Sequence, residues 1–143
     1  MLGSVDGDRV LDLFAGSGAL GIEALSRGAG AATFVDIAPA ARSAIRENLR
    51  ALGLDAEVVG KPASAWLGAA AAAGHEYDLV FLDPPYRLAP SLGQALTAAL
   101  PAVLSPAGRI VAESDRRDPL VLRLPLHRER HYGDTLITIH NVR

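Results

Sequence analysis

A glycine-rich turn that follows a mostly apolar run constrains the fold of this chain more than any other feature. Residues 9–14 form the run, and Gly16-Ser17-Gly18-Ala19-Leu20-Gly21 follows it with the spacing G-x-G-x-x-G. Glycines at this spacing permit a tight turn, close approach of a ligand to the backbone and close packing of the next helix. The pattern predicts a strand, a turn and a helix at the ligand-binding edge of an α/β sheet.

Buried-strand patterns alternate with helical patterns along the chain. Apolar runs without polar alternation predict parallel strands at residues 9–14, 31–36, 57–59, 77–82 and 108–113. Helical patterns predict helices at residues 19–27, 39–52, 64–73 and 91–100. Two further strands are predicted at residues 119–124 and 134–140. About nine residues separate them, which is short for a parallel crossover and favours an antiparallel hairpin. The sequence thus predicts seven mostly parallel strands with a C-terminal hairpin.

The composition limits the chain to one domain. Its 143 residues, of which 50% are hydrophobic, suffice for a single core, so we expect one domain over residues 1–143. The sequence has no cysteine, which excludes disulfides and thiolate chemistry. No apolar stretch is long enough to span a bilayer, and no secretion signal is recognisable, so we expect a cytoplasmic protein without a membrane partner.

Positive charge is concentrated near the C-terminus. Residues 116–143 hold six arginines against three acidic residues, although the whole chain has a net charge of −2. Clustered arginines neutralise phosphates in nucleic-acid complexes. The same charges also suit a solvated pair of strands, and the sequence leaves both interpretations open.

Two carboxylates near the glycine turn bear on the choice of cofactor. Asp36 ends the second predicted strand, about 20 residues beyond Gly16, where a carboxylate can accept hydrogen bonds from both ribose hydroxyls of NAD or S-adenosylmethionine. Asp12 lies inside the first strand and has no role in dinucleotide binding, but it could meet the methionine ammonium directly or through water. This favours S-adenosylmethionine. Alternatively, Asp12 caps the loop and Asp36 caps the helix over residues 39–52.

The tetrapeptide Asp83-Pro84-Pro85-Tyr86 follows another predicted strand and suits a planar amine. Two prolines remove backbone donors and stiffen the chain, so the Pro84 carbonyl can point outward beside the Asp83 carboxylate. Two acceptors can then hold both hydrogens of an exocyclic amine, while Tyr86 stacks on the base. The alternative is a plain strand-terminating turn.

Other candidates are weaker. His127 and His131 have the spacing i, i+4 but lie in strand-like surroundings without further ligands, so we expect no metal site. Trp66 is expected in the core. We assign no catalytic role to Glu113, near the crevice, or to Asn48.

These segments taken together resemble one family. Residues 10–29, Phe34-Val35-Asp36, Asn48-Leu49, Asp83-Pro84-Pro85-Tyr86 and Tyr132-Gly133-Asp134-Thr135 are similar to those of the RsmD-type methyltransferases. The resemblance runs nearly end to end. It implies a Rossmann-like class I S-adenosylmethionine-dependent methyltransferase that methylates the N2 of a guanine in 16S ribosomal RNA, of the guanine(966)-N(2) type.

The resemblance also implies roles for particular residues. It implies that Asp36 holds the adenosine ribose and that Asp12 and residues 16–18 lie near the methionine end. Asp83, Pro84, Pro85 and Tyr86 would form the catalytic set on the guanine, and the cofactor set comprises Asp12, Phe14, Ala15, Gly16, Ser17, Gly18, Asp36, Ile37 and Ala63. The expected partner is 16S rRNA or a small-subunit assembly intermediate, bound by a monomer without a metal.

The sequence departs from the family pattern in three ways. Family members begin with a basic segment that ends near a Met-Leu-Gly-like junction, and Met1-Leu2-Gly3 opens this sequence, so we expect that RNA-gripping segment to be missing. Gly60-Lys61-Pro62-Ala63 stands where the family usually presents an acidic residue to the adenine amine, and Ala38 replaces a commonly acidic residue.

Other functions remain open at this point. One is an N-methyltransferase acting on adenine N6 or on a protein glutamine, since the same tetrapeptide serves those amines. Another is a catalytically silent module that binds S-adenosylmethionine or RNA. An NAD-binding fragment is disfavoured by Asp12 and by residues 83–86.

Overall fold

A single seven-stranded sheet runs through the computed structural model, which describes residues 3–142. Met1 and Leu2, which belong to the predicted junction, lie outside the described residues. The strands are β1 (Arg9–Leu13), β2 (Ala31–Val35), β3 (Glu57–Val59), β4 (Tyr77–Leu82), β5 (Leu104–Asp115), β6 (Leu126–Tyr132) and β7 (Thr135–Asn141). Their order across the sheet is β3-β2-β1-β4-β5-β7-β6. Strands β1 to β5 are parallel, and β7 pairs antiparallel with both β5 and β6.

Helices connect the parallel strands as the sequence predicts. They are α1 (Ala19–Ser26), α2 (Pro39–Ala51), α3 (Ala63–Ala72) and α4 (Ala89–Ala99), and a 3₁₀ turn over Leu100–Val103 leads into β5. Pro39 opens α2, where its missing N–H costs nothing. Gly53 and Gly74 follow the ends of α2 and α3 with positive φ angles of 65° and 74°, a backbone conformation that stops a helix. None of the helices within residues 3–142 has the length and apolar character needed to cross a membrane.

The core lies on both faces of the sheet. Leu11, Leu13 and Val80 point to the face that α3 and α4 cover, where they join a cluster with Leu67 and Leu96. Strand residues that point to the opposite face form a second cluster with α1 and α2. This cluster includes Val10, Phe34 and Leu79 from the strands, Ile22 from α1 and Ile45 from α2. Strands buried on both faces are typical of parallel sheets, which explains the continuous apolar runs. The burial of Trp66, only 9% exposed, agrees with its expected place in the core.

The predicted strand at residues 119–124 is wrong. Leu120 and Leu122 are buried there, but the segment is not a strand, and side chains hold its backbone. The Leu120 N–H donates to Ser114 Oγ (3.0 Å), and the Arg123 N–H donates to Thr97 Oγ1 (3.1 Å). The alternating leucines therefore reflect packing on the core and not a sheet ladder.

The hairpin itself is confirmed, with a different first strand. Every residue of β6 is exposed at this edge of the sheet, so the sequence lacks the apolar pattern of a buried strand. Tyr132 pairs with Thr135, and the two residues between them close the hairpin with Gly133 at a φ of 60°. Strand β5 also begins earlier than predicted, at Leu104.

Candidate functional site

The turn after β1 brings three residues into left-handed backbone conformations. Phe14, Gly16 and Gly18 have φ angles of 61°, 59° and 80°. The Gly18 N–H donates to the Ala15 carbonyl (2.8 Å), which closes the turn, and Gly18 is the N-cap of α1. A Cβ placed on Gly16 would have open space around it, so this backbone can be approached closely. The turn thus presents bare backbone beside the start of a helix.

Asp12 lies beneath this turn. Its side chain is buried, and its Oδ2 accepts a hydrogen bond from the Gly21 N–H in the first turn of α1 (3.0 Å). Burial raises the pKa of the Asp12 carboxyl to about 7, against the lowering effect of that hydrogen bond. The structure therefore gives Asp12 a capping contact, but with the first turn of α1 rather than with the loop that the sequence left as the alternative. Its contact with a cofactor ammonium stays a prediction.

Asp36 joins the first turn to the end of β2. Its Oδ2 accepts a hydrogen bond from the Gly16 N–H (2.9 Å), and its Oδ1 accepts one from the Ala38 N–H (2.9 Å). Ala38 is the N-cap of α2, so the carboxylate bonds to the residue before the helix rather than to the helix itself. Each carboxylate oxygen has further acceptor capacity, and Asp36 lines the cavity described below.

Arg42 on α2 shapes the same loop, which the sequence analysis missed. Its Nη1 donates to the carbonyls of Asp36 (3.2 Å) and Ile37 (2.9 Å). The guanidinium also packs against Gly60, where a Cβ would lie 2.8 Å from Arg42 Cζ. Arg42 therefore ties the loop after β2 to the loop after β3.

The tetrapeptide after β4 carries two acceptors on consecutive residues. The Pro85 carbonyl accepts hydrogen bonds from the N–H groups of Leu88 (2.9 Å) and Ala89 (3.2 Å), which start α4. Within residues 3–142, neither the Pro84 carbonyl nor the Asp83 carboxylate has a hydrogen-bond donor. Tyr86 is 67% exposed beside them. The Asp83 carboxylate and the Pro84 carbonyl can thus receive an incoming amine.

Glu113 influences Asp83 from the next strand. Leu82 and Ala112 are partners across β4 and β5, so Asp83 and Glu113 follow them at the same edge of the sheet. Although Asp83 opens to solvent in the crevice, the surrounding walls reduce its hydration. This partial burial, and then the negative charge of Glu113, raise the pKa of Asp83 to about 6. Glu113 has no role predicted from the sequence, although its place at a strand end near the crevice is a usable signal.

One cavity of about 670 Å³ connects these elements, a volume within the usual range for small-molecule sites. The predicted site residues that line it are Phe14, Gly16, Asp36, Ile37, Ala63, Asp83, Pro84, Pro85 and Tyr86. Asp12, Ala15, Ser17 and Gly18 do not line it: the last three belong to the turn itself, and Asp12 supports the turn through its contact with Gly21. Asn48 belongs to this support as well, because its Nδ2 donates to the Ser17 carbonyl (3.1 Å).

The far wall of the cavity was not predicted. Helix α4 and the residue before it form this wall, together with Leu67 of α3. The residues of α4 and its start that line the cavity are Leu88, Leu92, Ala95, Leu96 and Ala99. Their spacing of three to four residues places them on one helix face, which is the signal that would have found them. Lys61 lines the cavity after β3, with Nζ 5.9 Å from the centre of the Trp66 ring.

The arrangement suits a nucleoside-like ligand that meets an amine. The lining combines the backbone of the glycine turn and the Asp36 carboxylate with apolar side chains of α3 and α4, and it includes both Asp83 and Pro84. In the described part of the chain, no group of three or more His, Asp or Glu side chains is placed to hold a metal ion. His127 and His131 lie on the exposed strand β6.

Comparisons with known proteins agree with this geometry. A family model described as "Conserved hypothetical protein 95" matches residues 1–141. The "Putative rRNA methyltransferase YlbH" of Bacillus subtilis is 42% identical over 148 residues, a match that covers 96% of this chain and 78% of that protein. The "Ribosomal RNA small subunit methyltransferase D" of Escherichia coli K12 is 45% identical over 78 residues, which cover 54% of this chain and only 38% of that protein.

A solved structure has the same fold. The "Putative methyltransferase yhhF" from Escherichia coli superimposes with a TM-score of 0.79 at 32% sequence identity. The match covers 96% of this chain and 76% of that one. The seven-stranded Rossmann-like sheet with its C-terminal hairpin is therefore shared with a solved relative.

Proposed function

This chain belongs to the RsmD-type family of rRNA methyltransferases, and from that premise we propose that it methylates the N2 of a guanine in 16S ribosomal RNA. We place the protein in the guanine(966)-N(2) type, so that the proposed target is guanine 966 of this RNA. The observation that carries it is a pair of acceptors in the cavity lining, the Asp83 carboxylate and the Pro84 carbonyl, which receive no hydrogen bond from any donor within residues 3–142.

The acceptor pair acts on the electrons of the amine. An exocyclic NH₂ conjugated with its ring is a poor nucleophile, because its lone pair is delocalised. When Asp83 and Pro84 hold both N–H bonds, the nitrogen lone pair turns out of the ring plane toward the cavity. This is positioning combined with electrostatic stabilisation of the charge that develops on nitrogen. Asp83, with a pKa of about 6, is ionised at neutral pH and can accept the proton that the methylated nitrogen loses.

Tyr86 supplies the surface on which the base rests. It is 67% exposed and lines the cavity next to the acceptor pair. Stacking of a base on an aromatic ring contributes about 1–3 kcal/mol. Pro84 is buried, so the tetrapeptide presents its acceptors from a rigid base.

The residues around the turn fit S-adenosylmethionine. Gly16 has open space for a ligand, and the Asp36 carboxylate keeps acceptor capacity toward the cavity for ribose hydroxyls. Ile37, Ala63 and Leu67 provide an apolar surface for the adenine in the absence of an acidic residue at Lys61-Pro62. When bound, this cofactor supplies an activated methyl group on its sulfonium. The chain's own part is to orient the amine and to exclude water.

The partner is a ribosomal RNA, either free or within a small-subunit assembly intermediate. The names of the two relatives support this, since one is called an rRNA methyltransferase and the other a small-subunit rRNA methyltransferase. We propose that the protein acts in the cytoplasm as a monomer.

The test is a methyl-transfer assay with product analysis. The protein is incubated with methyl-labelled S-adenosylmethionine and either unmodified 16S rRNA or small subunits, and the nucleosides are then separated by mass. We expect label in N2-methylguanosine. Label in N6-methyladenosine or in a protein glutamine would assign the tetrapeptide to another amine. Binding of S-adenosylhomocysteine without transfer to either substrate would indicate a silent binding module.

A further inference from the structure

Strand β6 separates its charges between its two faces. Arg128 pairs with Ile139, Arg130 with Ile137 and Tyr132 with Thr135, so these three β6 side chains share one face of the hairpin. Glu129 and His131 alternate to the other face. Arg128, Arg130 and Tyr132 are all exposed and are called the cationic face below.

A bulge keeps an apolar residue away from this face. The pairing shifts between Leu126, opposite His140, and Arg128, opposite Ile139, so His127 is an extra residue in β6. An extra residue reverses the side to which the preceding residue points. Leu126 therefore shares the side of His140, and the cationic face keeps its two guanidinium groups and one aromatic ring.

The guanidinium groups of this face have no acidic partner within residues 3–142. Arg117, another arginine of the basic C-terminal region, differs. It lies 2.7 Å from Asp115 and 3.8 Å from Asp134. Arg128 and Arg130 are thus free to bind an external anion, whereas Arg117 is held by the fold.

The cationic face ends at the same edge of the sheet as the acceptor pair. Tyr132 at the end of β6 pairs with Thr135 of β7, and Thr135 pairs with Asp115 at the end of β5. Strand β5 in turn pairs with β4, whose last residue precedes Asp83. Three inter-strand steps of about 4.8 Å separate β4 from β6, or roughly 15 Å. A polynucleotide with one base in the cavity covers this distance within a few nucleotides.

We propose that the cationic face binds the RNA backbone next to the target base, with Arg128 and Arg130 on phosphates and Tyr132 stacked on a neighbouring base. The inference rests on the proposed function. Arginine is the residue best suited to bidentate phosphate contacts, and an aromatic ring beside it is typical of single-stranded RNA sites. The positive charge without an acidic partner in the described residues, at the same edge of the sheet as the acceptor pair, favours RNA over a protein partner.

The experiment compares two double variants of the full chain. Arg128→Ala/Arg130→Ala removes the charges of the cationic face. Arg46→Ala/Arg50→Ala is the matched control, because it removes two exposed arginines from α2, which packs against β3 at the opposite edge of the sheet. Binding of in vitro transcribed 16S rRNA is measured between 50 and 200 mM salt, and S-adenosylhomocysteine binding is measured as a check of the cofactor site.

We expect the first variant to bind the RNA about tenfold more weakly at 50 mM salt. Its slope of log K against log salt should fall by about 1.4 to 1.8, the effect of two lost phosphate contacts. KM for RNA should rise while kcat at saturating RNA stays within about twofold of the parent. Affinity for S-adenosylhomocysteine and the behaviour of the control should be unchanged. Tyr132→Ala should weaken RNA binding and Tyr132→Phe should retain it.

Three results would overturn the inference. These are an unchanged salt slope in the first variant, an equal loss in the control, or equal KM values for both double variants. The proposed function is tested separately by the parent protein. If the salt slope falls as expected from the parent to Arg128→Ala/Arg130→Ala but the parent methylates no guanine, the cationic face is supported and the proposed function fails.

Discussion

The buried carboxylate of Asp12 lies 3.0 Å from the backbone nitrogen of Gly21 and joins the central strand β1 to the first turn of α1. The contact satisfies a backbone N–H that a helix start leaves without a partner. Burial nevertheless disfavours the charged form and raises the pKa of Asp12 to about 7. The link between strand and helix therefore responds to pH near neutrality.

The first prediction concerns the stability of the cofactor-free protein. In the unfolded chain Asp12 titrates near 3.8, so between about pH 4 and 7 the folded state holds a proton that the unfolded state lacks. The free energy of unfolding should fall as pH rises through this window, by on the order of 2–4 kcal/mol from this group. Asp12→Asn keeps an acceptor for the Gly21 N–H and cannot ionise, so it should lose that pH dependence.

Urea unfolding at pH 4.5, 6 and 8 measures the effect. Asp55→Asn changes an exposed carboxylate before β3 and is the control. Its free energy of unfolding should fall with rising pH as steeply as that of the parent. If the free energy of unfolding changed equally with pH in the parent and in Asp12→Asn, Asp12 would ionise in the folded protein as readily as in the unfolded chain.

The second prediction addresses the cofactor. Asp36→Ala removes the acceptor for the Gly16 and Ala38 N–H groups and for the expected ribose hydroxyls. It should weaken S-adenosylhomocysteine binding by about 1.5–3 kcal/mol, the range for hydrogen bonds to a charged group. Calorimetric titration measures this, with Asp55→Ala as the control that should bind normally. An unchanged affinity in Asp36→Ala would restrict the carboxylate to shaping the loop.

The third prediction separates chemistry from cofactor binding. Asp83→Ala removes one of the two acceptors in the cavity lining but leaves the glycine turn intact. Methyl transfer should fall by on the order of 10²–10³-fold, while affinity for S-adenosylhomocysteine stays within about twofold of the parent. Single-turnover rates with saturating RNA provide the measurement. Near-normal turnover would reduce residues 83–86 to a turn.

The fourth prediction concerns the pH profile of methyl transfer. The reaction needs ionised Asp83, so the rate of the parent should fall below about pH 6. Glu113→Gln removes a like charge, which favours ionisation and should move this acid limb to lower pH. The midpoint of the acid limb should still lie above pH 3.8, the ordinary value for an aspartate, because burial is the larger cause of the raised pKa of Asp83. Profiles of kcat/KM between pH 4.5 and 8 decide this, and a limb that stays in place or moves up would contradict it.

The fifth prediction compares two glycines. On Gly21 a Cβ would lie 2.5 Å from Phe34 Cε1, so Gly21→Ala should destabilise the fold by about 1–3 kcal/mol through overpacking. On Gly68, inside α3, a Cβ would have open space. Gly68→Ala should instead stabilise the fold by about 0.5–1 kcal/mol, the cost of glycine in a helix. Urea unfolding of both variants should give shifts of opposite sign.

The parallel half of the fold is predictable because its strands are buried on both faces. Leu79, Val80 and Phe81 are consecutive and all buried, which leaves an unmistakable apolar run. Strand β6 is not predictable by the same rule, because an edge strand with every residue exposed leaves no apolar pattern. Leu120 and Leu122 produced a false strand signal, since packing on a core also imposes alternation.

The site was predictable where the backbone demands particular residue types. Gly16 and Gly18 occupy left-handed conformations, and Pro84 and Pro85 stiffen a turn, so these positions can be recognised from their residues. The α4 wall of the cavity uses leucine and alanine, which occur on any apolar helix face. The position of Asp12 behind the turn depends on how closely α1 packs on β1, a distance that residue spacing does not give.

The order of the strands also sets a schedule for synthesis. β1 pairs with β2 on one side and with β4 on the other, and the Arg9 N–H finds its acceptor on Asp78, 69 positions later. At about 5–20 residues per second, a ribosome needs roughly 3–14 s to make that stretch. During this time one side of β1 has no partner. Asp83 follows β4 immediately, so the strand that completes the centre of the sheet and the acceptors that line the cavity are made one after the other, and a nascent chain that ends before Tyr77 has neither.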